Sequence, residues 1–167
     1  MFAIYKKHNN NFYNKLVELS RNIFFYKDLG LKDNFDTRIT LIFLHLSIIL
    51  LLFTSKNKKK FPQDIYDNIF LNIEYNLREE GFGDVAVNKK MKIINRIFYD
   101  ILIKIDLKTS NKLKINRDIL KLYLFEKEIP LNSQFIDKLI KYLLSFHDFC
   151  FELEDDIMLK GEINFKY

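Results

Sequence analysis

Residues 39–53 read ITLIFLHLSIILLLF, a run whose only polar members are Thr40, His45 and Ser47, and its interpretation decides the fold. A membrane-spanning helix needs roughly 20 apolar residues, whereas runs of roughly 10 to 14 more often form central core helices. This run contains a histidine, starts beside Asp36 and Arg38, and stops at Ser55. The reading is therefore a helix that is apolar on all sides and lies in the middle of a bundle, covered all round.

The flanking sequence supplies the covering helices. Upstream, Phe12, Leu16, Leu19, Ile23 and Tyr26 recur at steps of four and three, which predicts one amphipathic helix ending near Asp28 to Gly30. Downstream, Pro62 suits the first turn of a helix carrying Tyr66, Phe70, Ile73 and Leu77, and Gly81 is placed to close it in a left-handed cap. Met91, Ile94, Phe98, Ile101 and Ile105 predict a helix from about Asn88 to Leu107, with Asn88 as its cap. A polar stretch, Thr109 to Lys114, separates it from a short helix that begins at Asn116, runs through Leu120, Leu122 and Phe125, and is ended by Pro130. A last long helix, capped by Asn132 or Ser133, carries Phe135, Leu139, Tyr142, Phe146 and Phe149 into an acidic segment, Glu152 to Asp156, and a tail at Gly161. The expected fold is all-α: a single-domain bundle of about six helices around the central apolar one, spanning residues 1–167, with no sheet.

Composition agrees with that architecture. A chain of 167 residues with 49% hydrophobic residues can bury a large core, while four Gly and two Pro are few turn-formers for a many-stranded protein. The net charge of +5 favours contact with an anionic surface, whether RNA or acidic lipid headgroups. Cys150 is the only cysteine, which excludes an intrachain disulfide and suits a reducing compartment, the cytoplasm in the simplest reading. Met1 to Asn11 lack the features of a removable targeting segment. The basic run Lys56 to Lys60 reads as a solvated loop between two helices.

No reaction centre is legible. His8, His45 and His147 lie far apart in sequence, and there is no Cys-x-x-Cys, His-Glu-x-x-His or Walker-type pattern. His45, inside the most apolar helix, reads as a core histidine whose ring nitrogens find neighbours. The carboxylates from Glu152 to Asp156 read as a solvated helix end, and Gly81 to Gly83 as an interhelical turn that lacks the later glycine of a phosphate cradle. The expectation is a non-enzyme with no cofactor and no metal. At that turn Glu79 and Glu80 close one helix, and Lys89, Lys90 and Lys92 open the next, so both groups oppose their helix dipoles. Either they pair across the loop, with Arg78 and Asp84 joining, or they are kept to meet a partner.

The run Leu77, Arg78, Glu79, Gly81, Gly83, Asp84, Val87, Lys89, Met91, Lys92, Phe98 and Tyr99 resembles the signature of the ubiquinol–cytochrome c chaperone family. Tyr26, Leu29, Gly30, Phe35, Asp36, Arg38, Leu44 and His45 are similar to its "Y-x-x-L-G … F-D-x-R … L-H" segment, and Gly161, Ile163 and Phe165 to its closing "G-x-L-x-F". There are departures: Asn88 stands where the family often has proline, Phe82 replaces a smaller aliphatic residue, and Asp100 and Ile101 stand where a Gly-Arg pair is common. The resemblance implies a helical protein that binds newly made cytochrome b and releases it into the respiratory ubiquinol–cytochrome c reductase complex, at the inner face of the cytoplasmic membrane for a short bacterial-type chain. It points to Arg78, Glu79, Gly81, Phe82, Gly83, Asp84, Lys89, Met91, Lys92 and Tyr99 as candidates for client or partner contact. A second reading is a basic adaptor that uses the Lys56 to Lys60 loop and the Lys89 to Arg96 face to hold a ribosome or an anionic membrane surface, without touching cytochrome b. Specific DNA binding is not expected, because the lysines after the glycine turn form no base-reading set.

Overall fold

The computed structural model describes residues 10–56, 58–107, 112–125 and 129–167. His8 and most of Met1 to Asn11 lie outside the described residues, as do Asn57 in the basic run and part of the polar stretch after Leu107. The elements are α1 (Asn11–Ser20), α2 (Ile23–Lys27), α3 (Phe35–Ser55), α4 (Gln63–Glu79), α5 (Asp84–Lys104), β1 (Ile105–Leu107), β2 (Leu113–Ile115), α6 (Arg117–Leu124), α7 (Gln134–Glu152) and α8 (Asp155–Leu159).

The apolar run is the central helix. Every residue of α3 from Ile39 to Ile49 is buried, and α1, α5, α6 and α7 all pack against it. It is long and apolar enough to cross a bilayer, yet 83% of its most apolar window is covered by the rest of the molecule. Each fully covered Leu, Ile or Phe stabilises the fold by roughly 1.5–3 kcal/mol relative to exposure, so α3 anchors the whole core. Its start is set by Asn34, whose side chain accepts from the Thr37 amide at 2.9 Å.

His45 sits in this core with both ring nitrogens engaged. Nδ1 lies 2.6 Å from the Leu41 carbonyl, which can only accept, so Nδ1–H donates; Nε2 then accepts from the Tyr142 hydroxyl at 2.9 Å. Burial, only partly offset by the Leu41 bond, pushes its pKa down to about 4. The imidazole therefore stays neutral in the fold but protonates near pH 6.5 in the unfolded chain. Stability from this source is complete above pH 6.5 and is lost as the pH falls to 4, by about 3 kcal/mol in total. Denaturant melts of the wild type and His45→Gln at pH 7 and pH 4.5 should show a smaller acid loss in the variant; equal losses would overturn this account.

Three features depart from the sequence expectation. The first predicted helix is two: α1 stops at Ser20, and Asn22 caps α2 by accepting from the Phe24 amide, which turns Ile23 out to 60% exposure and seats Phe25 in the core. Residues after Lys104 leave the helix as an antiparallel hairpin in the register Ile105↔Ile115, Asp106↔Lys114 and Leu107↔Leu113. Strands of three residues are too short to show a period of two, so helical periodicity through Ile105 hid them. Finally, α5 begins at Asp84 with Gly83 as its cap, a full turn before Asn88.

The remaining caps follow expectation. Asn116 and Ser133 accept from the Asp118 and Phe135 amides, opening α6 and α7. Gly81, at φ +94°, closes α4 with Phe82 N–H on the Leu77 carbonyl and Gly81 N–H on that of Arg78.

Candidate docking site on the helical hairpin

The ten candidate residues all lie on the α4–α5 hairpin, but they do not converge on one point; about 22 Å of helix separates Asp84 from Tyr99. At the turn, Arg78 pairs with Glu74 one helical turn back and reaches Asp84 Oδ1 with Nη2 at 3.3 Å, tying the two helices together. Gly81 and Gly83 supply the closing and opening caps. Phe82, half-buried, packs against the core beneath Lys90, whose ammonium lies 4.6 Å from the ring centroid. Farther along, half-buried Met91 also packs on the core, while Tyr99 is 54% exposed. Tyr66 of α4 and Tyr99 of α5 face each other across a shallow groove of about 390 Å³, lined also by Phe70, Leu71, Glu74 and Asn95.

The charge inversion read at this turn is largely removed by the earlier start of α5. Lys89 and Lys92 fall in its second and third turns, and the first turn holds Asp84, which suits the dipole. Glu79 and Glu80 remain at the end of α4, but they do not pair with the lysines across the loop. They line a cavity of about 260 Å³ with Arg21, Arg38, Tyr13 and Phe35, between α4, α1 and the start of α3. Two segments of the family resemblance, Phe35 with Arg38 and Glu79 with its neighbours, thus meet at one end of the bundle.

Other resembling residues are structural. Tyr26 donates its hydroxyl to the Ser20 carbonyl at 2.7 Å, Leu44 and Phe98 are buried, and the Phe165 ring packs on Tyr142, Phe146 and Phe149. At the departing pair, Asp100 accepts from the Tyr123 hydroxyl of α6 at 2.8 Å and Ile101 is core. Burial, reinforced by Asp100, pushes the Tyr123 hydroxyl up to about 12. Position 101 here is filled by packing and has no outlet for a charged head.

The basic run at Lys56 to Lys60 is partly committed inside the molecule. Lys56 donates to the Phe151 carbonyl near the end of α7 and lies over the Phe151 ring, and Lys59 pairs with Asp155 at 3.2 Å. A cation at a helix C-terminus complements its dipole, so Lys56 clasps the end of α7 to that of α3, while Lys59 ties the loop after α3 to the first residue of α8. Cys150 is buried and its thiol is pushed up to about 12 by that burial, the reverse of a reactive thiolate. His147 is buried on α7 and donates from Nδ1 to Asp148. Among the described residues no three His, Cys, Asp or Glu side chains are grouped to hold a metal ion.

Sequence reasoning singled out the basic Lys89 to Arg96 face of α5 but passed over the apolar residues beside it. Val85, Ile93 and Ile103 are 71%, 55% and 76% exposed there, interleaved with Lys89, Lys92 and Arg96. The signal was available as the same three-and-four spacing read on the side away from the core.

These features define a predominantly helical protein whose α4–α5 hairpin exposes charged and apolar side chains. The chain belongs to the ubiquinol–cytochrome c chaperone family, whose model matches residues 27–165. The fold is also that of the crystal structure of the Cbp3 homolog from Brucella abortus, at 22% identity and a TM-score of 0.66, with 94% of this chain and 87% of that one covered. No curated protein matches the chain.

Proposed function

We propose that this protein is a chaperone that binds newly synthesised cytochrome b and promotes its entry into the ubiquinol–cytochrome c reductase complex, working in the cytoplasm at the inner face of the membrane. The observation that carries this reading is the family match over residues 27–165. The task requires contact and release, with no bond made or broken. A membrane protein under synthesis exposes apolar helices joined by polar loops, so its holder needs apolar surface with charged margins. The end of the bundle that brings Arg38, Glu79 and Glu80 around one cavity, with Phe82 on the adjoining turn, has that composition.

A photoreactive amino acid placed at position 82 and irradiated in cells is expected to capture cytochrome b. Phe82→Ser is expected to reduce recovery of cytochrome b with the chaperone at unchanged helicity, because the residue sits half-buried on an exposed turn. Adducts containing only ribosomal protein, RNA or lipid would replace the client reading with the adaptor reading.

A further inference from the structure

The outermost sector of α5 carries Val85, Lys89, Lys92, Arg96, Tyr99 and Ile103 at successive steps of four, three, four, three and four. All six are exposed, and they lie directly opposite the buried row Val87, Ile94, Phe98 and Ile101. The sector is a convex ridge about 27 Å long on one helix, which suits a plane better than a cleft. Among the described residues none of its three cations makes an ion pair. The two carboxylates of α5 lie outside the ridge and are engaged elsewhere, Asp84 with Arg78 and Asp100 with Tyr123. The chain's other basic run is partly spent inside the molecule, Lys56 on α7 and Lys59 on α8.

We propose that this ridge docks on the surface of an anionic lipid bilayer. Lys89, Lys92 and Arg96 meet headgroup phosphates, while Val85, Tyr99 and Ile103 enter the boundary between headgroups and acyl chains. Charge complementarity names the partner as anionic, and the apolar members decide which kind. A single-stranded RNA surface rewards aromatic platforms for stacking, but the ridge has one aromatic ring and two aliphatic tips that cannot stack. Aliphatic side chains among cations on one helical face are the composition that lies in a membrane interface, with a Tyr at headgroup depth. The inference rests on the membrane-side location proposed above; it is tested without client, so loss of the cytochrome b reading leaves its outcome independent.

The full chain is sedimented with vesicles of phosphatidylcholine and phosphatidylglycerol, and with vesicles of phosphatidylcholine alone. Binding to the mixed vesicles only is expected. Each cation near an anionic surface contributes about fivefold, so K89E/K92E should lower the partition coefficient by at least about 25-fold. The charge-matched control K138E/K141E, on exposed positions of α7, should retain most binding. Equal loss in both variants would reduce the effect to net charge and overturn the proposal, as would no binding by the wild type. The chain contains no tryptophan, so Tyr99→Trp supplies a single reporter. Its emission should shift to the blue on mixed vesicles; an unshifted spectrum would overturn insertion of the ridge. Ridge-dependent binding to RNA with none to vesicles would assign the face to nucleic acid instead.

Discussion

Phe98→Ala is expected to destabilise the protein by about 3–5 kcal/mol, the usual cost of truncating a fully buried phenylalanine. The Phe98 ring is completely covered where α3, α4 and α5 meet, with Phe43 at 5.1 Å, Phe70 at 5.3 Å and Tyr66 at 5.9 Å between centroids. Removing it leaves a cavity walled by rings that cannot collapse together, because each belongs to a different helix or helical turn. Loss of the tilted and edge-on aromatic pairs adds to the transfer term. For a chain of this length that corresponds to a fall in melting temperature of about 6–20 °C. Urea denaturation followed by circular dichroism measures it directly, and a change below about 1 kcal/mol would mean that this ring lies in no core. Packing and binding are separable on this one helix, since Tyr99, the next residue, stands exposed.

Gly161→Ala should be comparably damaging, for two reasons that reinforce each other. Gly161 has φ +75°, a region that costs an L-residue about 1–2 kcal/mol. A Cβ there would also stand 2.5 Å from the Asn11 carbonyl oxygen and 2.7 Å from its carbon, both of them backbone atoms that no rotamer change can move aside. Relief requires α1 to shift off the tail, and overpacking of this kind typically costs about 1–3 kcal/mol. A total of about 2–5 kcal/mol is expected. Gly81→Ala is the internal control: its φ is +94°, but nothing lies within 4 Å of where the added methyl would stand, so only the conformational cost should appear. Equal melting temperatures for the two variants would remove the close approach of α1 as a cause.

Together these positions show why a family signature is an uneven guide to a binding site. Gly161 and Phe98 belong to the resemblance because the fold needs them, and His45 belongs to it as the partner of Tyr142 in the core. The positions left for contact are those with neither a packing duty nor an internal ion pair: Glu79, Lys89 and Lys92, with Phe82 and Tyr99 half-committed. Arg78 and Asp84 hold the hairpin together, so charge reversal at either would disturb the turn as well as any partner.

The amino-acid sequence by itself determined the class of fold. A long apolar run flanked by amphipathic helices leaves few solutions other than a central helix wrapped by the others, because burial energy scales with area and the pattern says which faces need covering. It also determined the caps at Asn116, Ser133 and Gly81, since capping is local chemistry within a few residues. Other features depended on residues distant in the chain. The convergence of Arg38 and Glu79 on one cavity, the commitment of Lys56 to α7 and of Lys59 to α8, and the clearance between Gly161 and α1 are long-range arrangements that no local period encodes. The division of α5 into a core row and an exposed ridge was written in its spacing, but only packing could decide which of its apolar residues stayed in water. The core has room for one face of the helix, and Val87, Ile94, Phe98 and Ile101 fill it, leaving Val85, Ile93 and Ile103 outside.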